Sequence, residues 1–188
     1  MKINQKGYYE EHRDGNFHHH TDIGLKNSLL TIMDDMESVV DFGCGDASYI
    51  KHIGSTLNIK VRAFDGNPNV VDITDGIGEQ LDLSEPFTLN ETFNVVMSLE
   101  VAEHIPKKYE EIYVNNLIKH TDKYLVISWA VPGQSPIEKG HVNEQPNEYV
   151  LNLFEGLGFT YLEEHSQYLR SSITKLSWFK NTIFVFEK

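Results

Sequence analysis

The sequence is poor in cysteine and has no long apolar run. Its single cysteine, Cys44, excludes an internal disulfide bond and any metal site made of several thiolates. No stretch approaches the roughly 20 consecutive apolar residues that a membrane-spanning helix requires, and the polar N-terminus lacks the apolar core of a signal peptide. We therefore expect a cytoplasmic protein that has no membrane partner.

Basic residues are also scarce relative to acidic ones. Lys and Arg together number 16, against 28 for Asp and Glu, which leaves a net charge of −12. A surface of this sign repels a phosphate backbone, because nucleic-acid binding depends on clustered Lys and Arg. We therefore expect no nucleic-acid partner and favour a small-molecule or carbohydrate substrate, whereas the oligomeric state is left open.

The length of 188 residues and the absence of internal repeats or linker-like stretches favour a single domain. Residues 1–20 are polar and rich in histidine, and we interpret them as a cap or lid segment. Residues 21–188 then form the core of the domain.

Helical spacing of apolar residues begins directly after this segment, with Thr21 as the predicted N-cap. The apolar face consists of Leu25, Leu29, Ile32, Met33 and Met36. Buried strands are predicted over residues 38–42, 59–64, 93–99 and 124–129, with helices over 47–55, over 109–118 and from Pro146 onward.

This alternation of strands and helices predicts an α/β fold, a doubly wound and mostly parallel sheet with helices on both faces. Near the C-terminus, residues 159–168 and 182–186 are both β-like, with only a polar stretch between them. We therefore expect an antiparallel hairpin at one edge of the sheet.

The most informative segment joins the first strand to the next helix and reads Asp41-Phe42-Gly43-Cys44-Gly45-Asp46-Ala47. Glycine permits a sharp turn and the close approach of a ligand, and the helix N-terminus adds unpaired N–H groups. Asp65 follows Gly45 by 20 residues and ends the second strand, where a nucleotide-binding unit places a ribose-binding carboxylate. The pattern predicts a nucleotide site at this edge of the sheet.

The pattern Asp41-x-Gly43-x-Gly45-x-Ala47 resembles the first motif of the class I S-adenosylmethionine-dependent methyltransferases, with alanine in place of the third glycine. In that family the acid matched by Asp65 holds the ribose hydroxyls. The resemblance implies a Rossmann-like, seven-stranded sheet whose last strand is antiparallel to the rest, and S-adenosyl-L-methionine as the cofactor.

Later segments resemble the family in the same order. Leu81-Asp82-Leu83 matches the segment whose acid lies near the adenine, and residues 93–105 resemble the fourth strand with its Glu-His tail. Gly140-His141-Val142-Asn143 resembles the small-molecule branch. The residues that we assign to the cofactor on this basis are His20, Asp41, Gly43, Cys44, Gly45, Asp65, Gly66, Asp82, Leu83, Leu99 and Glu100.

The resemblance implies methyl transfer, and we favour O-methylation of a small hydroxylated acceptor such as a sugar or glycan unit. A hydroxyl acceptor must lose its proton, and histidine suits a general base near neutral pH. His141, flanked by Glu138 and Glu144, is our preferred base or substrate contact. His104, directly after the fourth strand, is the rival, with a structural role or a contact to the adenosine as its alternative.

Candidate substrate contacts are Tyr8 and Tyr9 in the N-terminal segment, Asn143 beside His141, and Trp129 at the end of the fifth strand, where a core role is equally plausible. The run His18-His19-His20 is interpreted as a polar covering segment, and no residue is assigned as a metal ligand. A metal ion held by His141 and Glu144 is kept as a minority alternative.

Two other functions stay open at the level of the sequence. An aminopropyltransferase on the same fold requires a cluster of acids for a polyamine near the fourth strand, where Glu100 and Glu103 occur. A cofactor-binding partner subunit without catalytic activity is the second alternative. Cofactor binding and release of the demethylated product separate these possibilities.

Overall fold

The computed structural model describes residues 4–7, 20–135 and 140–188. The strands in this part are β1 (Ser38–Phe42), β2 (Lys60–Asp65), β3 (Gly78–Gln80), β4 (Phe93–Ser98), β5 (Thr121–Ser128), β6 (Thr160–Tyr161) and β7 (Ile183–Glu187). The α-helices are α1 (Ile23–Met33), α2 (Ser48–Leu57), α3 (Val70–Ile73), α4 (Glu110–His120), α5 (Asn147–Gly156), α6 (Glu163–Ser171) and α7 (Phe179–Thr182).

All seven strands form one sheet in the order β3-β2-β1-β4-β5-β7-β6. Strands β1 to β5 pair in parallel, whereas β7 runs antiparallel to both β5 and β6. The predicted α/β fold with an antiparallel C-terminal strand is therefore confirmed. The central strands are nearly continuous apolar runs because both faces of a parallel sheet are covered by helices.

Alternation along β1 divides the core into two layers. Val39 points to the face covered by α1, α2, α6 and α7, and the next residue, Val40, points to the face covered by α4 and α5. Successive side chains of a strand point to opposite faces, so both valines are fully buried in different layers. The helices cover both faces of the sheet, so a ligand can reach the sheet only at the loops beyond the ends of its strands.

Helix α1 begins one residue later than the sequence pattern predicts. The N-cap is Asp22, whose Oδ1 accepts hydrogen bonds from the amides of Gly24 and Leu25, at 2.9 and 3.1 Å. Thr21 instead shares a hydrogen bond of 2.7 Å with the hydroxyl of Ser48 in α2. The prediction of Thr21 as the cap was therefore wrong, because a carboxylate next to it accepts from more donors than a hydroxyl can.

The region predicted as a hairpin strand over residues 159–168 is mostly helical. Strand β6 contains only Thr160 and Tyr161, and α6 begins at Glu163. Ser166 and Leu169 are buried on one face of α6, and Glu163 and Glu164 in the first turn interact favourably with the helix dipole. Helices α6 and α7 thus separate β6 from β7, which corrects the expectation of two consecutive strands.

The helices are short. The longest, α1 and α4, have 11 residues each. None of the helices in the described part of the chain is long and apolar enough to cross a membrane.

Candidate functional site

A cavity of about 610 Å³ opens beyond the carboxyl ends of β1, β2 and β4. Strand β1 has its successor β2 on one side and β4 on the other, so the connections leave this border in opposite directions. Open α/β sheets bind their ligands at such a reversal of strand order. The loops that follow these three strands form most of the cavity wall.

The turn after β1 requires glycine. Gly43 has a φ of 88°, and a Cβ at this position would lie 2.3 Å from Cγ2 of Val101. The amides of Gly43 and Cys44 donate to the carbonyl oxygen of Phe64, at 2.7 and 2.9 Å. The loop is therefore held against the end of β2, and its backbone forms an open wall of the cavity.

Asp65 links this loop to the end of β2. Its Oδ2 accepts from the amide of Gly45 at 2.9 Å, and its Oδ1 accepts from the amide of Asn67 at 2.8 Å. The residue also lines the cavity. One carboxylate thus orients both loops that a nucleoside would contact.

Three acidic residues, Asp41, Asp46 and Asp65, lie close together in this part of the cavity wall. Burial, followed by the charges of Asp65 and Asp46, raises the pKa of Asp41 to about 8. Burial and the nearby charge of Asp41 also raise the pKa of the Cys44 thiol, which stays protonated and is no nucleophile. A cationic ligand would favour ionisation of Asp41 by offsetting the charges of Asp65 and Asp46.

Asp82 forms an ion pair with Lys6, in the described part of the N-terminal segment. Lys6 Nζ lies 2.8 Å from Asp82 Oδ2 and 2.6 Å from Glu85 Oε1. Burial disfavours charge on Asp82, but the bonds from Lys6 and Ser84 outweigh it and lower the pKa of Asp82. Lys6 therefore brings residues 4–7 to the rim of the cavity.

The segment after β4 lines the cavity and contains one residue, Glu100, with a strained backbone conformation. Glu100 has a φ of 56°, which is uncommon for a residue with a side chain. Its Oε1 accepts from the Ser128 hydroxyl at 2.9 Å, its Oε2 accepts from Gln134 at 2.7 Å, and burial raises its pKa to about 7. Strain of this kind is maintained only where surrounding contacts enforce it, often at functional sites.

His104 and His141 meet in the cavity although 37 positions separate them, and their ring centroids lie 4.9 Å apart at 80°. His104 Nδ1 donates to the carbonyl of Gly140 at 3.0 Å, and His141 Nδ1 lies 2.9 Å from Glu144 Oε1. Burial and the proximity of His141 lower the pKa of His104 to about 4, so this ring is neutral at neutral pH.

All residues that the sequence assigned to the cofactor line this cavity, and so do His104 and His141. Trp129 and Asn143 do not. Trp129 is fully buried, and its Nε1 donates to the carbonyl of Asn143 at 2.6 Å, while the Asn143 amide donates to Glu110. Both support the loop that carries His141, which does not favour direct contact with a substrate. Tyr8, Tyr9, His18, His19 and Glu138 lie outside the described residues.

Several residues of the cavity wall were not predicted as cofactor or catalytic residues from the sequence. Trp178 and Phe179, at the start of α7, reach the cavity from the C-terminal part of the chain. Glu103 also lines the cavity, although the sequence pointed to this residue only as a polyamine contact. Its position three residues after the assigned Glu100 and directly before His104 was the available signal.

No protein-family model and no curated protein sequence matched this chain, whereas solved structures are similar to it. TehB from Haemophilus influenzae aligns with a TM-score of 0.62 and 17% identity, over 74% of this chain and 51% of TehB. Magnesium protoporphyrin IX methyltransferase (ChlM) from Synechocystis PCC 6803, with bound SAH, aligns at 0.59 and 15%, over 88% and 83%. The methyltransferase domain of bacterial CtHen1 aligns at 0.62 and 14%, over 88% and 98%.

The strand order, the antiparallel β7 and these similarities define the fold. This chain has the fold of the class I S-adenosylmethionine-dependent methyltransferases. It spans about half the length of TehB and nearly the full length of the CtHen1 domain.

Proposed function

We propose that this protein is an S-adenosylmethionine-dependent methyltransferase that methylates an oxygen of a small hydroxylated acceptor. One observation carries the proposal. Four segments that are distant in sequence, at Gly43–Gly45, Asp65–Gly66, Asp82–Leu83 and Leu99–Glu100, converge on one cavity at the reversal of the strand order. Their convergence is a property of the tertiary structure and does not follow from local sequence pattern.

The cavity suits a cationic nucleoside. The charges of Asp65 and Asp46 beside Asp41 create a negative potential that attracts an ammonium or a sulfonium group. Asp65 ends β2, where the ribose of a bound nucleoside is held in folds of this type. When bound, S-adenosylmethionine supplies an electrophilic methyl group, and the protein supplies position and electrostatics.

The acceptor is activated, in this proposal, at the pair of His104 and His141. An acceptor hydroxyl must lose its proton on methylation, and a neutral imidazole can take it. His141 is oriented by Glu144 as the base of a catalytic dyad would be. His104 is kept neutral by burial.

A small acceptor agrees with the size and charge of the protein. A cavity of about 610 Å³ is in the range of small-molecule sites, and ChlM among the similar structures is named for a small-molecule acceptor. The net charge of −12 disfavours RNA. Sugars come first because they present several hydroxyls. A polyamine is less well supported, since the Glu100 carboxylate is engaged by Ser128 and Gln134.

Calorimetry tests the cofactor assignment. We expect S-adenosylmethionine and S-adenosylhomocysteine to bind with a stoichiometry of one. Asp65→Ala should weaken binding about tenfold or more, since it removes the contacts of a charged group. The matched control is Asp122→Ala, an exposed acid at the start of β5. Absence of binding would refute the proposal.

Release of S-adenosylhomocysteine tests the reaction, with a panel of sugars, phenols and a short RNA as acceptors. We expect turnover with at least one small hydroxylated acceptor and none with RNA. His141→Gln and His104→Gln, assayed at saturating cofactor, should lower the rate about 100-fold or more in at least one case. Unchanged rates in both variants would remove these residues from the reaction.

A further inference from the structure

We propose that Glu103, His104 and His141 form a binding site for a divalent transition-metal ion in the wall of the cavity. Each residue offers one ligand atom, and these atoms all lie within 4.8 Å of one another. The site itself stands on this geometry, whereas its role in activating the acceptor rests on the proposed function.

The environment of the Glu103 carboxylate points to a bound cation independently of these distances. Its side chain is 0% exposed, and neither carboxylate oxygen has a hydrogen-bond partner among residues 4–7, 20–135 and 140–188. Burial and the charge of Glu100 raise the pKa of Glu103 well above its ordinary value. Buried polar groups without partners are costly and rare, and a metal ion would satisfy both oxygens of a carboxylate that lines the cavity.

The two histidines are oriented as metal ligands are. A carbonyl oxygen can only accept, so the bond to Gly140 places the proton of neutral His104 on Nδ1 and the lone pair on Nε2. Glu144 likewise accepts from Nδ1 of His141. Metal-binding histidines almost always donate their second ring nitrogen to a carbonyl or a carboxylate, which fixes the ring and its tautomer.

Glu144 acts in this arrangement as a support for His141. Its oxygens already accept from the amides of Gly133 and Ser135 at 2.6 and 2.9 Å. Burial opposes its ionisation, but these amides and His141 outweigh it and lower the pKa of Glu144. The carboxylate that completes the site is therefore Glu103, in contrast to the pairing of His141 with Glu144 that the sequence offered as an alternative.

Backbone contacts hold the three ligands in place. Glu103 and His104 lie in a short 3₁₀ turn, Ala102–His104, directly after β4. The carbonyl oxygen of Glu103 accepts from the amides of Val142 and Asn143, both at 2.9 Å. The loop that carries His141 is thus attached to the turn that carries the other two ligands, so the site is organised before an ion binds.

The ligand set selects the class of ion. Imidazole suits Fe²⁺, Ni²⁺ and Zn²⁺ better than it suits Ca²⁺ or Mg²⁺, which prefer oxygen ligands. Three protein ligands leave coordination positions open for a substrate oxygen. An acceptor hydroxyl bound there would have a lower pKa and would release its proton to water. Its oxygen would then form the bond to the methyl carbon while the carbon–sulfur bond breaks and S-adenosylhomocysteine leaves. With an ion bound, both imidazoles serve as ligands, and this replaces the general-base role proposed for them in the absence of an ion.

Cobalt provides the direct test, since its visible absorption reports its ligands. Protein stripped with EDTA and titrated with Co²⁺ should bind one ion and acquire an absorption band typical of nitrogen ligands. Glu103→Gln and His141→Gln should each weaken binding about 100-fold, and Glu144→Gln about 10- to 100-fold. His165→Gln, on α6 and outside the cavity wall, is the control and should bind as the unmodified protein does. Absence of binding, or binding that survives all three substitutions in the site, would overturn the proposal.

The same preparations separate this inference from the proposed function. Calorimetry with S-adenosylhomocysteine on the EDTA-stripped protein should show unchanged binding, because the cofactor residues are separate from the metal ligands. Methyl transfer that runs equally fast in EDTA would refute the metal site's role and leave the methyltransferase standing. Stoichiometric Co²⁺ binding without any binding of S-adenosylhomocysteine would refute the methyltransferase and leave the metal site standing.

Discussion

The buried carboxyl group of Asp41 affects both the stability of the ligand-free protein and the binding of a cationic ligand. Its pKa is raised from the ordinary value of 3.8 to about 8, with burial as the largest cause. A folded state that holds this proton more tightly than the unfolded state loses stability as the pH rises from about 4 to about 8. The ligand-free protein therefore carries a cost at neutral pH that a cationic ligand would offset.

Asp41→Asn removes this cost. We expect the free energy of unfolding of the ligand-free protein at pH 8 to rise by about 1–3 kcal/mol, with little change at pH 4. Urea denaturation at both pH values measures the change. The same variant should bind S-adenosylmethionine more weakly, as calorimetry would show. Equal stabilisation at the two pH values would contradict the assignment of the effect to ionisation.

Gly43 matters for the space it leaves as well as for its backbone conformation. Gly43→Ala should destabilise the protein by about 2–4 kcal/mol, because strain at positive φ adds to the overpacking against Val101. Gly133 supplies the control, since its φ of 89° is nearly the same but no atom lies within 4 Å of a Cβ there. Gly133→Ala should cost only about 1–2 kcal/mol and leave cofactor binding unchanged. Equal losses in the two variants would show that crowding at Val101 has no effect.

At the scale of the elements, Asp22 joins the start of α1 to the segment before α7. Besides capping the helix, its carboxylate accepts from the amides of Thr174, Lys175 and Leu176 at 3.1, 2.6 and 2.9 Å. Burial opposes its ionisation, but these amides outweigh it and hold the pKa of Asp22 well below its ordinary value. One side chain thereby fixes two elements that are about 150 residues apart.

Asp22→Ala should lower the free energy of unfolding by about 2–4 kcal/mol, since it removes the cap and leaves buried amides without an acceptor. The effect should be full near neutral pH. It should shrink as the pH falls below about 4, because a depressed pKa stabilises only above the ordinary pKa of the carboxyl. Urea denaturation as a function of pH is the measurement. Asp34→Ala, an exposed acid at the other end of α1, should change stability little.

At the scale of the whole molecule, the two ends of the described chain meet at one cavity. Lys6 and His20 reach it from the N-terminal side, and Trp178 and Phe179 reach it from the C-terminal side. His20 and Trp178 are in edge contact, with ring centroids 6.4 Å apart. The cavity therefore exists only when the sheet and both flanking segments are assembled.

Fluorescence can follow this assembly, because the chain has only 2 tryptophans. Addition of S-adenosylhomocysteine should change the tryptophan emission through Trp178, which lines the cavity. Trp178→Phe should remove most of the change. Trp129→Phe should retain it, because Trp129 is buried outside the cavity wall. A ligand-dependent signal that persists in Trp178→Phe would place the ligand elsewhere.

Local chemistry in the sequence was sufficient to predict the central strands and the glycine loop. Strand β1 spans the predicted residues 38–42, because a continuous apolar run followed by two glycines permits few other structures. The same holds for Asp65, since a carboxylate at the end of a second parallel strand lies next to the loop after the first. These features depend on residues close together in the chain or on the fixed geometry of one strand–helix–strand unit.

Only the tertiary structure decided the features that depend on distant partners. The stretch predicted as a strand over residues 159–168 became mostly α6, because its apolar side chains pack against α1 and β7. Trp129 turned inward because Asn143 provides an acceptor for its Nε1. Glu103 met His141 because backbone bonds attach the loop of one to the turn of the other. Sequence determines propensity and spacing over a few residues, whereas contacts between residues that are distant in the chain depend on the packing of the whole molecule.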